Sequence, residues 1–247
     1  MGTSNLYRDG LWKKIVSHPD FDIGRREFEA LVRFLPILAQ QLVSPTNILH
    51  LGVGDGREIK HFANTLALKQ YVINDICAAS LAQVIAEARA AHPNISFSEL
   101  CADIECSGVL AHARSGLIGQ TLFVLVGNTS IWSNKNLDKE IALAMRPGDT
   151  LLVTAEMPHP DMFASYIIEP VYDLLGSGGV QINRENARTW YDMSDQCLKI
   201  AFNNQTLFAS YKPTKKQFLD RLSKVSLFPQ CSERYDDIHM LAGLFSF

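Results

Sequence analysis

The sequence has no long apolar run and no excess of charge of either sign. No stretch approaches the roughly 18 consecutive apolar residues that a membrane-spanning helix requires. The 23 lysines and arginines nearly balance the 26 aspartates and glutamates, for a net charge of -3. No strong positive field would therefore attract nucleic acid or anionic lipid, and we expect neither a nucleic acid nor a membrane as a partner.

Cysteine and histidine are too scattered for disulfide or metal cross-links. The five cysteines are odd in number and form no C-x-x-C motif, so we expect no disulfide framework and a reducing, cytoplasmic compartment. None of the seven histidines pairs with another at the spacing of metal ligands. The sequence therefore predicts a protein without a bound metal.

The sequence does contain a regular alternation of strands and helices. Five short apolar runs alternate with segments of helical periodicity, and the runs span residues 47–53, 71–75, 95–100, 121–126 and 150–155. This alternation predicts an α/β fold, a mostly parallel sheet with helices on both faces. A last strand at 239–247 predicts an antiparallel edge and a sheet of seven strands.

The same pattern divides the chain into four predicted segments. Residues 1–44 form an N-terminal helical cap, and residues 45–156 form a Rossmann-like core that binds the ligand. Residues 157–195 form an insertion after strand five that covers the substrate. Residues 196–247 complete the sheet, beginning with a hairpin around Asn203-Asn204.

A glycine-rich turn follows the first strand. Residues 49–57 read LHLGVGDGR, with Gly52, Gly54 and Gly56 at alternate positions directly before a helix. Glycine lets the backbone approach a ligand closely. The spacing is tighter than the G-x-G-x-x-G of dinucleotide-binding dehydrogenases, and Arg57 stands where their third small residue would be. The turn therefore suits a nucleoside that carries an amino acid.

Two aspartates follow the next two strands at the same edge of the predicted sheet. Asp75 ends the second strand, where its carboxylate can accept hydrogen bonds from both ribose hydroxyls. Asp103 follows the third strand, where it can accept from an adenine amino group. Either aspartate alone would more simply cap a helix. Together with the glycines they indicate S-adenosylmethionine (SAM), and Ile76, which follows Asp75, is a further predicted SAM contact.

These motifs resemble class I SAM-dependent methyltransferases over roughly residues 45–156. A wider resemblance is to the histidine Nα-methyltransferases of ergothioneine synthesis. It is carried by Leu6-Tyr7-Arg8-Asp9-Gly10, Phe21–Glu27, Gly127-Asn128-Thr129, Val171-Tyr172-Asp173, Gly179–Asn183 and Ser210-Tyr211-Lys212. The resemblance implies a small-molecule substrate and SAM, as methyl donor or as sole substrate, and it adds Arg25 and Gly127 to the predicted SAM contacts.

The chain departs from that family in the part that binds the substrate. Two residues before the serine that matches Ser210, the family has a glutamate that holds the imidazole ring of histidine, and this chain has Phe208. We therefore do not expect free histidine as the substrate. The family asparagine that holds the substrate amine is matched most nearly by Trp132, with Asn134 two residues on. These four residues are the predicted substrate contacts.

Five further residues are candidates for the reaction itself. Phe123 and Asn128 lie on or just after the fourth strand, and Tyr166, Tyr172 and Ser194 come from the insertion. Aromatic faces stabilise a sulfonium by cation–π attraction, and amide or hydroxyl oxygens can orient an amine for attack. The simpler interpretation of the three aromatic residues is packing, and that of Ser194 is a polar surface position.

Two reactions fit these residues. The first, which we favour, is N-methyl transfer from SAM to the amine of an amino acid other than histidine. In the second, the amine of SAM attacks its own carbon next to sulfur and gives azetidine-2-carboxylate and methylthioadenosine. In the absence of the glutamate that holds the imidazole ring, and in its short length, the chain resembles the SAM-cyclising azetidine-2-carboxylate synthases. A non-catalytic SAM-binding scaffold is a third possibility, which the glycines and the acidic pair disfavour.

Overall fold

The computed structural model describes residues 11–42, 46–126, 135–176 and 181–247. The helices are α1 (Leu11–Val16), α2 (Ile23–Gln41), α3 (Ile59–Thr65), α4 (Ala78–Ala91), α5 (Val109–Ser115), α6 (Lys135–Ala144), α7 (Glu169–Leu175) and α8 (Lys215–Ser223), with a 3-10 helix at Pro160–Tyr166. The strands are β1 (Thr46–His50), β2 (Leu68–Asp75), β3 (Ser96–Cys101), β4 (Thr121–Leu125), β5 (Thr150–Glu156), β6 (Arg188–Asp192), β7 (Cys197–Phe202), β8 (Gln205–Tyr211), β9 (Phe228–Tyr235) and β10 (Met240–Ser246).

Seven of these strands form one twisted sheet in the order β3-β2-β1-β4-β5-β10-β9. Strands β1 to β5 run parallel, whereas β10 is antiparallel to both β5 and β9. The predicted fold, a mostly parallel sheet with an antiparallel edge, is confirmed. The strand order reverses between β1 and β4, and ligands of open α/β sheets bind at the carboxyl ends of the strands beside such a switch point.

Helices cover both faces of the sheet, and successive side chains of a strand pack alternately against one face and the other. Along β4, Phe123 and Leu125 pack with α5, α6 and α8, whereas Leu122 and Val124 pack with α2, α3 and α4. All four side chains are fully buried, as expected of a parallel strand that is covered on both faces. Among the described residues, no helix has the length and apolar character needed to cross a membrane.

The insertion and the N-terminal helix pack together beside the sheet. Ile15 of α1, Tyr166 of the 3-10 helix, Tyr172 of α7 and Leu198 of β7 belong to one buried apolar cluster. Two segments that are distant in the sequence therefore share one core. The division into four segments stays a prediction.

The C-terminal part differs in detail from the expectation. The hairpin forms as β7 and β8, with Asn203 and Asn204 at φ 48° and 62°, but it pairs with β6 in a separate three-stranded sheet. Strands β9 and β10 complete the main sheet. The β9 pattern was missed because this edge strand is largely exposed and contains Pro229 and the charged pair Glu233-Arg234.

Candidate functional site

The glycine-rich turn has the backbone shape that its sequence predicts. Gly52, Gly54 and Gly56 have φ angles of 66°, 58° and 72°, in the left-handed region that favours glycine. A Cβ atom on Gly56 would lie 2.6 Å from a methyl carbon of Val84 on α4. The turn is therefore packed tightly against α4, and this packing excludes a side chain at position 56.

The end of β2 holds this turn in place. The Gly54 amide donates to Asp75 Oδ2 at 3.0 Å, and the Cys77 amide donates to Asp75 Oδ1 at 2.9 Å. Asp75 is only 9% exposed. Each of its carboxylate oxygens has a second acceptor direction for a ligand hydroxyl. The structure thus brings the predicted glycines and the predicted ribose carboxylate into direct contact.

Asn74 is a residue that the sequence interpretation missed. Its Oδ1 accepts from the Gly52 amide at 3.2 Å, and its Nδ2 donates to the carbonyls of Leu100 and Ala102 at 2.8 and 2.9 Å. One side chain therefore ties the ends of β1, β2 and β3 together. Asn74 is 2% exposed, and its signal in the sequence was a polar residue between the apolar run at 71–73 and Asp75.

Asp103 lies in the turn that follows β3, next to this arrangement. Its Oδ1 accepts from the Glu105 amide at 2.9 Å, which is a local turn contact and not the helix cap that was the simpler interpretation, because the next helix begins at Val109 after Gly108. Ile76 follows Asp75 and is half-buried. Arg25 lies on the exposed side of α2, with Nη2 3.7 Å from Asp22 Oδ2. The roles of these three residues in holding SAM stay predictions.

A titratable carboxyl group lies directly after the glycine-rich turn. The pKa of Glu58 is raised to about 7, because its carboxyl group is buried and faces the carboxylates of Asp55 and Glu27, which outweigh Arg57. Glu27 is itself buried and accepts from Thr154 Oγ1 at 2.5 Å. The turn is thus bordered by acidic groups, an environment that suits a cationic ligand.

This pKa predicts a pH dependence of stability. Glu58 titrates at about 7 in the folded chain and at its ordinary value near 4.5 when unfolded. Between these values the folded state binds more protons, so its stability falls as the pH rises from 4.5 through 7. We expect the melting temperature of Glu58→Gln to fall less between pH 4.5 and 7 than the melting temperature of the wild type. Glu87→Gln, a change at an exposed glutamate of α4, should retain the wild-type slope. Equal slopes in all three proteins would contradict the assignment.

A second group of polar residues surrounds Glu156, at the carboxyl end of β5. Glu156 Oε1 lies 2.5 Å from Arg26 Nη2 of α2 and 3.0 Å from His159 Nε2. Glu156 Oε2 lies 2.5 Å from Lys212 Nζ, just after β8. Burial alone would raise the pKa of Glu156, but Lys212, His159 and Arg26 lower it to about 2. Glu156 is therefore an anion that joins three parts of the chain at the ligand edge.

Three predicted site residues meet at this group. Lys212 Nζ donates to the Tyr166 hydroxyl at 2.6 Å, and that hydroxyl lies 3.4 Å from Ser210 Oγ. The ring of Phe208 lies 5.6 Å from that of Tyr166, between centroids. We call Glu156, Lys212, Tyr166, Ser210 and Phe208 the Glu156 cluster. Only Tyr166, Ser210 and Phe208 were predicted, because ion pairs over such sequence distances leave no local pattern.

The other predicted residues lie elsewhere. Phe123 is in the core below the sheet edge. Tyr172 is buried on α7, with its hydroxyl bonded to Thr189. Ser194 is exposed in the turn before β7, where its Oγ donates to Asp192 at 2.6 Å. The catalytic roles of these residues stay predictions. Gly127, Asn128, Trp132 and Asn134 lie outside the described residues.

Several solved structures have a fold similar to that of this chain. Similar structures include 1,6-didemethyltoxoflavin-N1-methyltransferase of Burkholderia thailandensis, solved with bound 1,6-didemethyltoxoflavin and S-adenosylhomocysteine (14% identity, TM-score 0.54, covering 99% of this chain and 90% of that one). CcbJ methyltransferase of Streptomyces caelestis is similar too (14% identity, TM-score 0.54, covering 99% and 98%), as is a SAM-dependent methyltransferase of Clostridium acetobutylicum (10% identity, TM-score 0.53, covering 87% and 90%). At these identities the likeness shows the fold alone.

The strand order and these similarities show that the chain has the fold of class I SAM-dependent methyltransferases. A search of curated proteins found no match. The family model of the SAM-dependent, histidine-specific methyltransferases matches residues 9–172, more than half of the chain. The chain belongs to this family, and its cofactor is SAM.

Proposed function

We propose that the protein transfers the methyl group of SAM to the amine of an amino-acid-like small molecule other than histidine. The observation that carries the proposal is the contact between Phe208 and Tyr166, whose ring centroids are 5.6 Å apart. The histidine Nα-methyltransferases that the chain resembles have an imidazole-binding carboxylate at the position of Phe208, and here that position is apolar. A polar imidazole would lose its partner there, and such a loss discriminates strongly between substrates.

The residues at the ligand edge fit SAM. The glycine-rich turn leaves its backbone open, Asp75 offers two fixed oxygens to a diol, and the acidic border formed by Asp55, Glu58 and Glu27 favours a cation. Bound SAM supplies an electrophilic methyl carbon on a sulfonium. The protein's part is to hold an amine in line with that carbon and to exclude water, which needs alignment more than a strong base.

Cyclisation of SAM is a second candidate, favoured by the same Phe208 position. Without an imidazole clamp, the aromatic pair Tyr166 and Phe208 would border the sulfonium and the aminocarboxypropyl chain rather than a second substrate. Here the amine of SAM forms the bond to its γ-carbon, the bond from that carbon to sulfur breaks, and methylthioadenosine leaves. The amine proton is released to solvent.

A product assay separates the two reactions. Purified protein is incubated with SAM alone and then with a panel of amino acids, and the nucleoside products are identified by mass spectrometry. Methyl transfer predicts no turnover until an amine is supplied, followed by S-adenosylhomocysteine. Methylthioadenosine from SAM alone, absent in the Asp75→Ala protein, would establish cyclisation instead. Methylation of histidine in preference to the other amines would contradict the role given to Phe208.

A further inference from the structure

Lys212 carries a charge in the interior of the protein, beside the candidate site. Its side chain is 0% exposed, and its Nζ lies 2.5 Å from Glu156 Oε2 and 2.6 Å from the Tyr166 hydroxyl oxygen. Burial alone would lower the pKa of Lys212, but Glu156 and Tyr166 outweigh burial and raise it above its ordinary value. Lys212 is therefore an ammonium ion at neutral pH.

The backbone around Lys212 fixes where the ammonium group lies. Its amide donates to the Gln196 carbonyl at 2.7 Å, and its carbonyl accepts from the Tyr191 hydroxyl at 2.9 Å. On the far side, Arg26 holds Glu156 at 2.5 Å. Side chain and main chain are thus both held, so the contact with Tyr166 is built into the fold.

This contact determines how the Tyr166 hydroxyl is used. An ammonium group donates hydrogen bonds and accepts none, so the Tyr166 oxygen is the acceptor and its own proton is directed away from Lys212. Burial raises the pKa of Tyr166 and outweighs the opposing effect of Lys212, so the phenol keeps that proton. Ser210 Oγ lies 3.4 Å from the same oxygen, and either hydroxyl group can be the donor, so Ser210 can accept the Tyr166 proton and donate its own.

We propose that Lys212 is a positioning residue that fixes the Tyr166 hydroxyl as a hydrogen-bond donor, so that this hydroxyl, directly or through Ser210, recognises an acceptor atom of the substrate, such as a carboxylate oxygen. Arg26 also contacts Asp22 Oδ2 at 3.1 Å, so the charges of Lys212, Arg26, Glu156 and Asp22 balance, and the selection of an acceptor depends on the direction of the hydroxyl proton. The role in substrate recognition rests on the proposed function. The assignment of the Tyr166 hydroxyl as a donor does not.

A mutant cycle tests the route through Tyr166. The pair Glu156→Gln/Lys212→Met removes the donor together with its counter-charge, and Arg26 keeps its contact with Asp22. We expect it to lower turnover about tenfold, the equivalent of one lost hydrogen bond, with the dissociation constant of SAM unchanged. In a Tyr166→Phe background, which has no hydroxyl to orient, the same pair should change turnover less than about twofold. Equal losses in both backgrounds would show a purely structural role and overturn the proposal.

A spectroscopic measurement decides the point without turnover. In protein labelled with ¹³Cζ-tyrosine, the Tyr166 resonance is the one missing from Tyr166→Phe. It should move in Lys212→Gln, whose amide oxygen can accept the phenol proton, and stay in Lys212→Arg, which only donates. The resonance of Tyr71, whose hydroxyl lies 2.9 Å from His50 Nδ1, should not move in either variant. An unmoved Tyr166 resonance in Lys212→Gln would overturn the proposal even if the protein proved to catalyse another reaction.

Discussion

Replacement of Asp75 by alanine is expected to weaken SAM binding about 100-fold. A hydrogen bond to a charged group contributes about 1.5–3 kcal/mol, and the loss of two such bonds to the ribose corresponds to a factor of about 100 or more in affinity. The same carboxylate accepts hydrogen bonds from the amides of Gly54 and Cys77. Its loss therefore also removes the contacts that hold the glycine-rich turn in place. Isothermal titration calorimetry with SAM and with S-adenosylhomocysteine measures the change. Both ligands should be affected alike, because both carry adenosine.

Two further variants separate ligand contact from loop anchoring. Asp75→Asn keeps one oxygen that can accept from an amide, and we expect an affinity between those of wild type and Asp75→Ala. Asp220→Ala removes an exposed carboxylate that pairs with Lys216 on α8, and its affinity should equal that of the wild type. Wild-type affinity in Asp75→Ala would place the adenosine elsewhere and would remove the basis of the predicted site.

The predicted site residues that the structure brings together at the turn share one property, which is that their signal is local. Gly52, Gly54 and Gly56 follow a buried strand directly, and the positive φ angles require glycine at those positions. Asp75 could be predicted in the same way, because parallel strands bring their carboxyl ends to one edge of the sheet. The alternation that predicted the strands is equally local, since each strand and helix shows its own period.

The Glu156 cluster has no such signal. Glu156 contacts Arg26 and Lys212, which are distant from it in the sequence, and only the folded chain brings them together. Residues of the insertion present the same difficulty. Tyr166 and Ser194 were both candidates from the insertion, and Tyr166 is 2% exposed and contacts Lys212, whereas Ser194 is in an exposed turn. The direction in which an irregular segment folds back depends on packing that the sequence pattern does not encode.

The largest expected loss of stability lies at the opposite edge of the sheet. Asp149 precedes β5, and its two carboxylate oxygens accept from Arg114 Nε and Nη2 at 2.7 and 2.9 Å. The side chains of Arg114 and Asp149 are 4% and 0% exposed. The same carboxylate accepts from the amide of Thr121 at 2.9 Å. One buried ion pair therefore ties α5 to the first residues of β4 and β5.

Replacement of Asp149 by alanine is expected to lower the free energy of unfolding by about 3–5 kcal/mol, because it leaves the Arg114 guanidinium buried without its counter-charge. Urea denaturation followed by circular dichroism measures the loss. Asp220→Ala, which breaks an exposed pair, should lose no more than about 0.5 kcal/mol. Arg114→Met/Asp149→Asn buries no unpaired charge and should recover part of the stability. Because the predicted SAM site lies at the other edge, the folded Asp149→Ala protein should keep its affinity for SAM. A loss similar to that of Asp220→Ala would mean that this pair does not hold β4 and β5 in register.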